Sequence, residues 1–455
     1  MKWRSRKKKE KRRNDYRCVR KQGGYEVIIM NYIPVTENDK RNMLRHIGVK
    51  SINDLLIELK PSIADSGELG LSNPMSELEL LEHMKRLSEK NNLMKYFIGA
   101  GAYNHYVPAA VNHLLMRGEF LTGYTPYQAE MSQGTLQAMY EFQSFICLLT
   151  GMDVANASMY DGSSALAEAV LLSSSYNGRN GVFVNNGLNP QYLEVLKTYC
   201  EGADLEIVNE INEKTTCVIG QNPDFYGNLE NLEYLSDRAH KVGALFITCV
   251  VEPTSLAIVQ PPGYYGADLV VGEGQSFGIP INFGGPYLGF LGVKDFLLKK
   301  IPGRIAGMTA DSKGRKGFVL TFQAREQHIR RERATSNITT NVELMAIAST
   351  IYLSLMGRTG LKNVAKLCYS RAHLLQEKLA KMDFKLLNDK PFYNEFLVRA
   401  PSGSSESVLS HLLKEGILGG LHLDHDNILI CCTEMNSLQD IESYASIINE
   451  RMLLK

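Results

Sequence analysis

Between residues 180 and 295 short apolar runs alternate with helical patterns, and few folds accept that rhythm. The runs fall at 182–184, 205–208, 217–220, 244–250, 269–271 and 288–293, with helical periodicity at 191–200 and 229–241 between some of them. A continuously apolar strand is one covered on both faces. Strands of that kind separated by helices predict a mainly parallel sheet with right-handed crossovers.

Ahead of this region lies the stretch YTPYQAEMSQGTLQAMYEFQSFICLLTGMDVANASMYDGSSALAEA, 124–169. Leu136, Met139, Tyr140, Phe142, Ile146 and Leu149 recur at three- and four-residue spacings, so one helix face is apolar. Ser132 reads as its N-cap and Gly151 as its stop. Asp161, Gly162, Ser163 and Ser164 then open a second helix. Free N–H groups and hydroxyls at a helix start can hold an anion. The simpler reading is that Asp161 or Ser163 caps the helix.

The chain has 455 residues, 44% hydrophobic and 22% charged, enough for a large core and two domains. No unbroken apolar run approaches the ~18–20 residues that cross a bilayer. Eight cysteines occur without C-x-x-C pairs or His at ligand spacing, which points away from structural zinc and toward a reducing, cytoplasmic setting. Residues 1–21 hold twelve Lys or Arg against Glu10 and Asp15, leaving 38 basic and 47 acidic residues in the rest. The body therefore lacks a basic footprint for nucleic acid.

Residues 1–29 read as a disordered basic extension, too charged to bury a core. Gln22-Gly23-Gly24 can be encoded by a ribosome-binding sequence, so a start at Val27 or Met30 is an alternative reading of the tail. A helical arm follows over 30–120, with capping boxes at Thr36/Asp39 and Ser76/Glu79 and a further helix at 51–59. Within it, His105 and Tyr106 precede Pro108, which suits a helix start. A large domain is expected over 121–340 and a small α/β domain over 341–455. The small domain begins with helices at 341–355 and 361–381. Strands at 384–387, 395–398 and 428–432 and helices at 406–415 and 438–452 complete it. In the run AREQHIRRERATSN, Arg side chains interleave with Glu, as in an internally paired charge network or a clamp for carboxylate or phosphate.

A helical arm, a large α/β domain and a small C-terminal α/β domain outline the fold-type I pyridoxal-phosphate enzymes. The motifs GAGAYNHYVPAAV, YTPYQAEMSQGTLQAMYEFQ, FGIPINFGGP, IPGRIAGMTAD and REQHIRRERATSNI together resemble the P-protein (glycine decarboxylase) family of the glycine cleavage system. The likeness runs from Met30 to Lys455 and covers the first of the two related halves of single-chain P-proteins. It implies the alpha subunit of the two-chain bacterial form.

In the cofactor-bearing half of that family a Lys precedes the I-P loop; here the place reads GEGQSFGIP and Gln275 stands there. An amide cannot form an imine. The pyridinium acid is also missing, since LFITCVVEP offers Cys249 and a displaced Glu252. Gly162, Ser163 and Ser164 remain as a vestigial phosphate cup. The resemblance therefore implies pyridoxal phosphate on a beta subunit, an α2β2 assembly, glycine as substrate and the lipoyl arm of H-protein as acceptor. It makes His105, Tyr106, Tyr124, Tyr127 and Gln128 candidates for reaching the partner's site, with Arg325, His328 and Arg330 beside them. Alternatives are a self-sufficient enzyme using another lysine such as Lys294, and a non-catalytic scaffold.

Overall fold

The computed structural model describes residues 17–22, 25–30, 35–57, 70–282, 285–323, 326–334, 336–339, 341–401, 403 and 405–453. They form two compact units, 1–91 and 92–455.

In the first unit, strands β1 (Arg17–Gln22) and β2 (Tyr25–Met30) pair antiparallel, from Arg17 opposite Met30 to Gln22 opposite Tyr25. The extension expected to be disordered thus contains a hairpin, consistent with the β-branched run at its end. Helix α1 (Glu37–Ile47) opens with the Thr36/Asp39 capping box and ends at Gly48, φ 90°. Helix α2 is the single turn Ile52–Leu55, and part of the 51–59 helix read from the sequence lies outside the described residues. Helix α3 (Glu77–Ser88) opens with the Ser76/Glu79 box.

The second unit starts earlier than the arm boundary read from the sequence. Strand β3 (Lys95–Tyr96) pairs parallel with β15 (Ile417–Leu418), and Phe97 is buried beside Tyr444, ring centroids 4.7 Å apart. Helix α4 (Ala109–Leu115) follows Pro108 and buries Val111. Residues 92–120 therefore belong with the α/β body. Helical periodicity before residue 91 hid this, because the deciding contacts are hundreds of residues away.

Helix α5 is the turn Gly118–Leu121, and α6 (Gln133–Thr150) buries Leu136, Met139, Phe142 and Ile146 before Gly151, at φ 74°, ends it. Ser132 makes no side-chain cap; the chain enters the helix through a 3₁₀ turn at 129–131, which leaves Ser132 outside the extended geometry a cap needs. Strand β4 (Val154–Ala155) leads to α7 (Gly162–Asn177), whose buried small residues pack against the sheet.

Strands β5 (Gly181–Val184), β6 (Glu206–Val208), β7 (Thr215–Gln221), β8 (Leu245–Val250), β9 (Leu269–Glu273) and β10 (Gly289–Val293) complete one sheet, ordered β4-β10-β9-β8-β7-β5-β6. From β6 to β9 all pairings are parallel, and β10 is antiparallel to both neighbours. Every residue of β7, β8 and β9 is buried. Helices α8 (Pro190–Gly202) and α9 (Leu232–Lys241) lie in its crossovers.

The hairpin β11 (Ile305–Ala310) and β12 (Lys316–Thr321) precedes the short α10 (Gln327–Arg330). Helix α11 (Glu343–Ala380) breaks at Gly357, φ 56° and ψ −173°, so two helices form as the sequence indicates. The first half packs Ala346 into the large domain's core and the second packs Ala372, Leu375 and Leu379 into the small domain's. The small domain accordingly begins near Gly357 and not at 341. Its sheet is β13 (Lys385–Leu386), β14 (Glu395–Arg399), β17 (Asn427–Cys431) and β16 (Leu421–His422), covered by α12 (Ser405–Lys414) and α13 (Leu438–Leu453).

Candidate functional site

Ligands of open α/β sheets gather at the carboxyl ends of the parallel strands. At the ends of β8 and β9 that place is densely packed, with Glu252, Glu273, Gln275 and Ser276 all buried. Gln275, two residues beyond β9, is fully buried. Its Oε1 accepts from the Tyr103 N–H at 3.0 Å, and its Nε2 donates to the Tyr103 carbonyl at 3.0 Å and the Ile279 carbonyl at 2.7 Å. The amide thus pairs with the backbone of Tyr103 as a neighbouring strand would. Lys offers donors but no acceptor and could not make this pair.

The start of α7 is also spoken for. Asp161 caps the helix by accepting from Ser164 N–H at 2.8 Å and from the Ser163 hydroxyl. The buried carboxylate of Glu273 accepts from Gly162 N–H at 3.0 Å, Leu288 N–H at 2.8 Å and Gln275 N–H at 3.0 Å. Burial pushes its pKa up to about 7 against the pull of those N–H groups. An anion at this helix start would meet the protein's own carboxylate. Gly162 is also sterically confined: a Cβ there would lie 2.3 Å from the Tyr192 hydroxyl.

His105 lies between two carboxylates from different domains. Its Nδ1 is 2.7 Å from Glu434 Oε2, beyond β17, and its Nε2 is 3.4 Å from Glu252 Oε2, beyond β8. Burial opposes the imidazolium, but the adjacent Glu252 charge and hydrogen bonds to Cys368, Glu252 and Glu434 raise its pKa well above the ordinary value. Burial likewise pushes Glu434 up, and His105 with the Tyr106 N–H outweighs it, so this carboxyl lies below its usual range. Glu252 also accepts from Ser276 Oγ at 2.6 Å and from the Thr254 hydroxyl. Its carboxyl group is thus shared among His105, Ser276 and Thr254.

The remaining candidates fall into separate settings. Tyr106 is 59% exposed, Tyr124 73% and Tyr127 54%, so these three are presented to solvent while His105 is sealed. Gln128 is exposed as well. The Tyr127 hydroxyl accepts from Arg304 at 3.0 Å, and the guanidinium lies 5.4 Å from the ring centroid. Arg304 is buried and 3.9 Å from the buried Glu326, which also faces His328 Nδ1 at 3.5 Å. Arg330 is exposed, and Arg325 lies outside the described residues. Glu273, Glu434, Arg304 and Glu395 were missed by the sequence reading. The available signal was a charged residue at or within three residues of a strand end.

The sequence profile described as glycine cleavage system P-protein matches residues 30–448. The chain belongs to that family. Two P-protein relatives are each named probable glycine dehydrogenase (decarboxylating) subunit 1. The one from Desulforamulus reducens is 46% identical, covering 92% of this chain and 99% of the relative. The other, from Thermomicrobium roseum, is 45% identical over 92% and 99%. A crystal structure of glycine decarboxylase (P-protein) in inhibitor-bound form superposes with TM-score 0.84 at 41% identity, covering 92% of this chain and all of the other. The sphingosine-1-phosphate lyase of Burkholderia pseudomallei, at 13% identity, 86% and 94% coverage and TM-score 0.61, shares the fold. So does a C-DES variant with glycine covalently linked to its PLP cofactor, at 15% identity, 78% and 95% coverage and TM-score 0.57.

This P-protein chain has the fold of the fold-type I pyridoxal-phosphate enzymes, and the groups at the ends of β8 and β9 are committed to one another. Gln275 is clasped to Tyr103, Gly162 N–H is taken by Glu273, and Tyr103, Tyr192 and Cys249 share one buried cluster. Lys294, the other lysine considered from the sequence, lies away from Gln275. It follows Val293, which pairs with Leu269 at the far end of β9 from Glu273, and its Nζ donates to the Gly151 carbonyl at 3.0 Å.

Proposed function

We propose that this chain is the alpha subunit of a two-subunit glycine dehydrogenase (aminomethyl-transferring, decarboxylating). Pyridoxal phosphate is carried by the beta subunit, in an α2β2 assembly. Together the subunits remove CO2 from glycine and pass the aminomethyl group to the lipoyl arm of H-protein. The observation supporting this reading is the clasp at Gln275: where the family resemblance puts the lysine there is a buried structural amide, which cannot form an imine.

The contribution assigned to this chain is to wall the partner's site and exclude water, a role that demands fixed side chains and no bond making. Exposed Tyr106, Tyr124, Tyr127 and Gln128 are suited to reach outward. His328 and Arg330 are further contributors, with Arg325 assigned by the resemblance alone. Buried His105 acts from behind them.

Coexpression with a beta subunit tests this reading. The pair, given H-protein, is expected to catalyse glycine–bicarbonate exchange, and each chain alone to be inactive. Covalently held cofactor and CO2 release by the isolated chain would overturn it.

A further inference from the structure

The segment 99–106 is tied down along its length by groups far away in sequence. Ala100 N–H donates to Glu395 Oε1 at 2.7 Å, and the Tyr103 hydroxyl donates to Glu395 Oε2 at 3.0 Å. The Tyr103 peptide is clasped by Gln275 on both sides. The Asn104 carbonyl accepts from Thr433 Oγ1 at 2.7 Å. His105 is held between Glu252 and Glu434. Finally Tyr106 N–H donates to Glu434 Oε1 at 2.8 Å.

Within this strap Tyr103 and His105 are buried and the residues between Gly99 and Asn104 are otherwise half-buried, and then Tyr106 turns a 59% exposed phenol to solvent. Buried networks with every partner supplied make rigid mounts. The anchors come from the large domain, through Gln275 and Glu252, and from the small domain, through Glu395, Thr433 and Glu434. One carboxylate does two jobs: Glu434 Oε2 holds the imidazole and Oε1 holds the peptide N–H of the exposed residue.

We infer that the former lysine position has become the foundation of a positioning device, in which Gln275, His105 and Glu434 fix the strap so that Tyr106 is presented to the reacting centre supplied by the partner subunit. This rests on the alpha-subunit reading above and assigns Tyr106 the contact and the other three the positioning. None of the three needs to touch substrate. Misplacing a contact group by about 1 Å can cost on the order of a hundredfold in rate, so such a mount has functional weight.

The experiment has two arms. In the isolated full chain, 3-fluorotyrosine at position 106 is expected to give one narrow 19F resonance. Glu434→Ala should broaden or split it, and Glu434→Gln, which keeps an acceptor for the N–H, should restore it. In the αβ complex with H-protein, Glu434→Ala should lower kcat/KM for glycine about tenfold, but less than about twofold once Tyr106 is already alanine. An unchanged resonance, or equal losses in both backgrounds, would overturn the inference. Should Glu434→Ala fail to fold, isosteric Thr433→Val removes the Asn104 anchor and is expected to act in the same direction in both arms; no effect in either would count against the mount. A wild-type pair without exchange activity would sink the functional reading alone, because the 19F arm still judges the strap.

Discussion

Gln275 and Tyr103 exchange two 3.0 Å hydrogen bonds, side-chain amide against main-chain peptide, in a fully buried setting 172 residues apart in sequence. This pairing makes the segment just beyond β9 part of the core. On the alpha-subunit reading proposed above, a lysine placed there would not make a cofactor site. Gln275→Lys is expected to strand the Tyr103 N–H and to bury an ammonium, destabilising the chain by roughly 2–5 kcal/mol. Urea unfolding measures that loss. Mass spectrometry after incubation with pyridoxal phosphate and borohydride should show no added cofactor at residue 275.

Glu395 sets a pH dependence. Burial raises its carboxyl from 4.5 to about 8, with the Ala100 N–H and Tyr103 hydroxyl pulling the other way. A raised acid favours the proton-bound folded state. Its stabilisation is full below the unfolded value and is lost as pH rises through about 8. Glu273, raised to about 7, acts in the same direction. Glu395→Gln keeps an acceptor for Ala100 and a partner for Tyr103 without the titrating proton. Its stability between pH 6 and 9 should fall less steeply than the wild type's, by on the order of 3 kcal/mol over the window. Chemical denaturation at stepped pH reads the slope.

Gly162 is a packing requirement. A Cβ there would lie 2.3 Å from the Tyr192 hydroxyl and 3.0 Å from the Gly272 carbonyl carbon. Gly162→Ala should cost about 1–3 kcal/mol through overpacking. Adding Tyr192→Phe removes the nearer obstacle and should return part of the loss, whereas additive losses in thermal melts would contradict this account.

Arg304 holds buried charge. Its guanidinium faces Glu326 at 3.9 Å and donates to Tyr127 at 3.0 Å. Arg304→Ala should destabilise by about 3–5 kcal/mol because Glu326 is left buried beside an apolar gap. The double variant Arg304→Ala/Glu326→Gln should recover a good part of it.

The break within α11 depends on one glycine. Gly357 sits at φ 56° and ψ −173°, a region open almost only to glycine, with no atom within 4 Å of an added Cβ. Gly357→Ala should therefore cost about 1–3 kcal/mol from backbone strain alone. Calorimetry of the variant measures it, and a neutral result would show that the helix can straighten.

The parallel sheet was legible because β7, β8 and β9 are local runs of apolar residues, and burial on both faces writes itself into such runs. Helix stops at Gly48 and Gly151 and the capping boxes at Thr36 and Ser76 were legible too, since these are contacts within a few residues. The substitution at Gln275 could be located by its place before the I-P loop, but not what the amide does. Whether His105 faces a partner or lies sealed between Glu252 and Glu434 depends on side chains 147 and 329 residues away. Neither periodicity nor spacing reports that distance. Folding alone brings the ends of β8, β9 and β17 together, and the electrostatics of the strap exist only once they meet.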